Sequence, residues 1–213
     1  LGTCWAIAFI RMIAAHLYIH GKVEFLLSLS AKHLFANIKE KFSTGFLKNY
    51  EGVKIFLKEE GLVEEHECKC TAGKFMNNND ACVKVKDKNV FKIREFVVIP
   101  EGSKVDETKI ITLLNTHGPI AAHVRVTPEC MKDNKDEIYF GPTKNDKTVE
   151  GHIILLTGYG TRDDIHYFEY QNSWGMRAGD GGFGKFARKN SLPKGDKSLI
   201  VAYMYPEVQP LYL

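Results

Sequence analysis

Three short islands hold residues able to do covalent chemistry: Gly2-Thr3-Cys4-Trp5-Ala6, Gly151-His152-Ile153 and Asn172-Ser173-Trp174-Gly175. A thiol is a weak nucleophile until ionised, and the N–H groups and positive dipole end of a helix's first turn stabilise the thiolate. An imidazole beside it completes the activation, because each charged partner favours the other and the imidazolium can protonate a leaving amine. An amide that holds the ring's orientation supplies the third part. Cys4, His152 and Asn172 have the right side chains for nucleophile, acid–base and orienter, and Trp174 is placed to cover the His–Asn bond from water.

The elements that would position these groups follow from local pattern. Ala6, Ile7, Phe9, Ile10, Ile13, Ala14, Leu17 and Tyr18 recur at helical spacing between Thr3, a good N-cap, and Gly21, so Cys4 falls in a first turn. His152 opens the most apolar strand, and Gly158-Tyr159-Gly160 reads as a tight turn into a second strand ending at Asn172, a hairpin that would set Asn172 beside it. The other histidines compete poorly. His16 and His20 lie three to four turns along the Cys4 helix, roughly 18 to 24 Å away at 1.5 Å per residue. His33 and His66 are in polar surroundings, His117 is in a turn, and His123 and His166 are within strands. Singly, each island also fits a bland structural role as core cysteine, strand histidine or turn.

The full chain has 213 residues, 44% of them hydrophobic, enough for one sizeable core or two modest ones. Lys and Arg number 29 against 26 Asp and Glu, a net charge of +3, and the lysines are interspersed with acids in sequence. Nucleic-acid and membrane partners gain little from this. No apolar stretch approaches the roughly 18 residues of a spanning helix. With Cys4 set aside as a reactive thiol, Cys68, Cys70, Cys82 and Cys130 suffice for two disulfides with three possible connectivities. A metal site from His66, Cys68, Cys70 and Cys82 lacks the C-x₂-C spacing of zinc knuckles, so no metal is expected.

Further helices are expected over 30–42, 50–60 and 106–115, and strands over 96–99, 120–126, 152–159, 165–172, 183–188 and 199–205. Helices first and strands second, without βαβ alternation, predict an α+β protein in two segregated halves. The division falls at 1–100, helical and bearing the nucleophile, and 101–213, β-rich and bearing His152 and Asn172. A cleft between halves is where such groups would meet.

Order and spacing then join the islands: His152 lies 148 residues beyond Cys4, and Asn172 a further 20. With Leu1-Gly2-Thr3-Cys4-Trp5-Ala6, Gly151-His152 through Gly160, Asn172-Ser173-Trp174-Gly175 and Gly181-Gly182-Phe183-Gly184 in this order, the chain resembles the papain-like cysteine proteases, peptidase family C1, over nearly its whole length. The resemblance implies a helical left domain, a β-barrel-like right domain and an active-site cleft. It implies peptide-bond hydrolysis through a thioester on Cys4, with His152 as acid–base, Asn172 as orienter and no cofactor. Trp174, His123, Glu150, Gly151 and Ala202 would then contact substrate. The implied partners are polypeptide substrates and an inhibitory propeptide or protein inhibitor, in a lysosome, vacuole or secreted.

Several features depart from the family pattern. The chain opens three residues before Cys4, as a processed product or fragment would, and the family's oxyanion-hole Gln, about six positions upstream, is not within it. A G-C-x-G-G segment is not recognisable between Lys41 and Tyr50, where Gly45 is the sole glycine. Glu150-Gly151 replaces the usual Asn or Asp ahead of the histidine. These departures keep open an alternative, a catalytically silent scaffold with a binding or storage role, and amidase or transferase use of the same chemistry.

Overall fold

The apolar residues at helical spacing near the start do form a helix in the computed structural model, which describes residues 2–68, 89–127 and 136–208. Helix α1 (Cys4–Ile19) buries Trp5, Phe9, Met12 and Ile13. Gly21 ends it: at φ 65° its N–H reaches the Tyr18 carbonyl (3.0 Å) and the Lys22 N–H reaches Leu17 (2.8 Å), a Schellman closure. The expected Thr3 cap is corrected. With φ −102° and ψ −2°, Thr3 lacks the extended backbone that aims a capping side chain, and it makes no such bond.

Helix α2 (Ala31–Asn37) is capped by Ser30 Oγ, which accepts from the His33 N–H at 3.2 Å. It stops five residues before the expected end because β-branched Ile38 turns extended at ψ 120°. Lys41 Nζ then donates to the Phe35 carbonyl at 2.7 Å and to that of Ile38, satisfying groups the helix end leaves open. Helix α3 (Glu51–Glu59) ends at Gly61, where φ is 83°. Strand β1 (Glu95–Ile99) adds Phe96, packed edge-on against Phe9 at 5.1 Å. Trp5 stacks on Phe35 at 5.7 Å. Each fully buried side chain of this size contributes about 1.5–3 kcal/mol. Lys58 (2.8 Å) and Lys54 (3.3 Å) join α3 to Glu95, whose carboxyl is drawn down to about 2, chiefly by the Lys58 hydrogen bond. His33, expected in polar surroundings, is instead buried 5.4 Å from the Phe56 ring, and burial pushes its pKa down.

The chain divides into two compact units, Leu1–Val97 with Tyr205–Leu213, and Val98–Met204. The sequence division at 100/101 assigned the end of the chain to the β-rich part. Near that end, the Arg94 N–H bonds to the Glu207 carbonyl at 2.8 Å and an Arg94–Glu207 ion pair lies beside it, both residues belonging to the first unit.

In the second unit, helix α4 (Glu107–Thr116) is capped by Asp106, which accepts from the Thr108 and Lys109 N–H groups at 2.9 and 3.3 Å. The strands are β2 (Ile120–Val126), β3 (Ile138–Tyr139), β4 (Glu150–Arg162), β5 (Ile165–Gln171), β6 (Phe183–Ala187) and β7 (Ile200–Glu207). The order is β1-β7-β2-β4-β5-β6-β3. A barrel-like closure was expected; instead the sheet has two ends, and β3, too short to be read from sequence, pairs parallel with β6. The α+β class stands, with four α-helices and this seven-stranded sheet among the described residues.

One local correction bears on the site. Gly158-Tyr159-Gly160 is not the hairpin turn but lies inside β4, where the register with β5 shifts between Leu156 and Gly158. At Gly160 an added Cβ would lie 2.6 Å from the Tyr167 hydroxyl oxygen, so the Tyr167 ring lies over the bare glycine and would have to shift. The turn is Asp163-Asp164, both left-handed (φ 52° and 61°), between the paired residues Arg162 and Ile165. Two residues at positive φ match the twist of a hairpin, and aspartate tolerates this conformation. Replacing Asp164 with Gly is therefore expected to raise stability by about 0.5 kcal/mol, read from a denaturant midpoint.

Candidate active site

Cys4 belongs to the helical unit. Cys4 is the first residue of α1, is buried and is not disulfide-bonded. That position supplies the first-turn N–H groups and dipole that favour a thiolate. Its segment is anchored by a loop that sequence reading passed over. Trp5 Nε1 donates to the Gly45 carbonyl at 3.0 Å, and the Gly2 N–H donates to Thr44 at 3.1 Å. Gly45 adopts φ 92°, and a Cβ added to Gly2 would lie 2.7 Å from the Gly45 carbonyl carbon. Gly2 is required by this close backbone approach and Gly45 by its positive φ. The available signal was Gly45 itself, the lone glycine between Lys41 and Tyr50.

His152 and Asn172 both belong to the β-rich unit. His152 sits in β4, and Asn172 directly follows β5, so the hairpin delivers both to one place. His152 Nε2 and Asn172 Oδ1 are 2.9 Å apart. An amide oxygen only accepts, so this bond selects the tautomer with hydrogen on Nε2 and leaves Nδ1 to exchange protons. Asn172 is itself held: its N–H donates to Gly182 at 2.8 Å, and its Oδ1 also accepts from the Ser173 N–H at 2.8 Å. His152 and Asn172 are 6% and 3% exposed. The 37%-exposed Trp174 ring lies 4.8 Å from the imidazole at a 36° tilt. Burial pushes the His152 pKa down, the Asn172 hydrogen bond pushes it up, and nearby His123 pushes it down.

The remaining residues expected to contact substrate share one region of the sheet. His123 pairs in register with Ile153 on β4 and with Ala202 on β7, while Glu150 and Gly151 pair with Val126 and Arg125. Ala202 is only 1% exposed, so it shapes this region from beneath rather than offering open surface. A Cβ added at Gly151 would overlap His123 Nε2. Gly151→Ala is therefore expected to displace the His123 ring and cost roughly 1–3 kcal/mol, most of it recovered in the double variant with His123→Ala. A double-mutant cycle of unfolding free energies checks this.

Of the four residues weighed as metal ligands, Cys68 is disulfide-bonded, which removes it as a thiolate ligand, and Cys70 and Cys82 lie outside the described residues, as does Cys130. Among the described residues no helix is long and apolar enough to cross a membrane.

The model of the papain family cysteine proteases matches residues 2–203, taking in the cysteine, the histidine and the asparagine. The chain belongs to the papain family. Cathepsin R of Mus musculus is 29% identical over 193 residues, covering 87% of this chain and 54% of that protein. The chain spans about half the length of the curated cathepsins it matches. Its papain fold is matched at TM-score 0.75 and 18% identity by the Carica candamarcensis cysteine protease CMS1MS2, solved with E-64, covering 98% of this chain and 89% of that one. A second match is the ragweed pollen allergen Amb a 11, a cysteine protease solved in its proform, with TM-score 0.77, 19% identity and coverage of 97% and 59%.

Proposed function

We propose that this papain-family chain is the catalytic part of a thiol peptidase that hydrolyses polypeptides through a thioester on Cys4. The observation that carries the reading is the Nε2–Asn172 bond beneath Trp174, which leaves His152 Nδ1 as the proton-exchanging atom. In this reading His152 takes the Cys4 proton, and Sγ attacks the peptide carbonyl carbon. The imidazolium protonates the leaving nitrogen as the C–N bond breaks. Water then attacks the thioester, His152 accepts its proton, and the C–S bond breaks to restore the thiolate. No cofactor enters any step.

Trp174, His123, Glu150, Gly151 and Ala202 are assigned to the substrate side of this reaction. An inhibitory propeptide as partner is supported by the proform in which Amb a 11 was solved. The disulfide at Cys68 supports an oxidising compartment, lysosomal, vacuolar or extracellular. The test uses the full-length protein after removal of any propeptide. Hydrolysis of a fluorogenic peptide, blocked by a thiol-directed epoxide, is expected. A folded protein that neither hydrolyses the peptide nor takes up the epoxide overturns the reading and leaves a silent scaffold.

A further inference from the structure

Folding gathers cations that are far apart in sequence at one end of the β-rich unit. Lys104 lies just before α4, Arg125 on β2, Lys189 in the short turn after β6, and Lys197 in the loop entering β7. They line two cavities of about 770 and 480 Å³ that share Lys104, Val105 and Lys189. The acids there are mostly engaged. Glu107 accepts from Ser198 Oγ at 2.6 Å and from the Lys189 N–H at 3.0 Å, and faces Arg188 Nε at 3.7 Å. Asp106 caps α4. Glu101 is the remaining carboxylate. Lys104, Arg125, Lys189 and Lys197 have no ion-pair partner among the described residues, and all four are exposed.

We propose that these cavities bind a multivalent oxyanion, a chain of phosphate or sulfate groups. Single exposed charge pairs are each worth less than about tenfold in affinity, so a monoanion would not be held, whereas several groups on one ligand act together. Lysines are compact charges on flexible stems and accept variable oxygen positions. No aromatic side chain lines either cavity, so nucleobases would find nothing to stack on, which favours an oxyanion chain over nucleic acid. The inference is independent of the peptidase reading.

The full chain is titrated calorimetrically with inorganic tripolyphosphate and, separately, with a heparin-derived sulfated hexasaccharide. Saturable binding of at least one probe is expected, weakening at least about fivefold between about 50 and 200 mM salt. Binding of the first alone identifies phosphate as the ligand chemistry, and binding of the second alone identifies sulfate. The variant Lys104→Gln/Lys189→Gln/Lys197→Gln should lose about tenfold or more in affinity, and Lys104→Gln/Lys197→Gln an intermediate amount. A control, Lys39→Gln/Lys48→Gln/Lys92→Gln, removes the same charge from exposed sites in the helical unit and should stay within about twofold. Failure of both probes to bind, or equal weakening in the triple variant and the control, overturns the proposal.

Discussion

Cys4→Ala in the full-length protein is expected to abolish peptide hydrolysis, by about 10⁴-fold or more, together with labelling by a thiol-directed epoxide. Alanine keeps the helical propensity of the first turn and removes one sulfur atom from a buried position, so α1 and the Trp5–Gly45 hydrogen bond should survive. An unfolding midpoint close to that of the parent separates loss of the nucleophile from loss of the fold. Hydrolysis that persists in Cys4→Ala would place the chemistry elsewhere.

His152→Gln is expected to cost about 10³-fold or more in kcat, and it carries a pH signature that misfolding would not produce. An isolated thiol, with pKa about 8.5, is scarcely ionised near pH 6. The parent should nonetheless be alkylated by iodoacetamide near pH 6, and the variant only as pH rises toward that of an ordinary thiol. The sign for the imidazole follows from its surroundings. Burial and His123 lower its pKa, and the Asn172 hydrogen bond alone, among these three, raises it. Asn172→Ala should therefore move protonation of His152 to lower pH, and shorten the alkaline side over which the charged pair persists. His123→Ala should move it the other way. Unchanged alkylation profiles in His152→Gln would separate the imidazole from the thiol.

Much of the architecture is legible without coordinates. Apolar periodicity placed α1, α3 and α4 within a residue or two, and β2 over the same seven residues, because these segments bury one continuous face and carry their own stop signals. Harder were features fixed by partners far along the chain. Ile38 truncates α2 through a conformation that helical spacing does not reveal. Two adjacent aspartates form the β4–β5 turn, whereas the glycines nearby lie within the strand, with the Tyr167 ring over Gly160. Gly45 stood out only as the sole glycine between Lys41 and Tyr50, yet its carbonyl accepts from Trp5 Nε1 and holds the segment bearing Cys4.

By itself the sequence determined the identities and order of Cys4, His152 and Asn172, the helix start beneath the thiol and the strand beneath the imidazole, because residue type and local spacing encode these directly. Tertiary structure alone decided that Nε2 of His152 is the bonded nitrogen, that Gly151 makes room for His123, that Glu207 pairs with Arg94, and that four scattered cations share one region. Those outcomes depend on register and packing between segments tens of residues apart, and no local pattern records which distant side chain will occupy the neighbouring space.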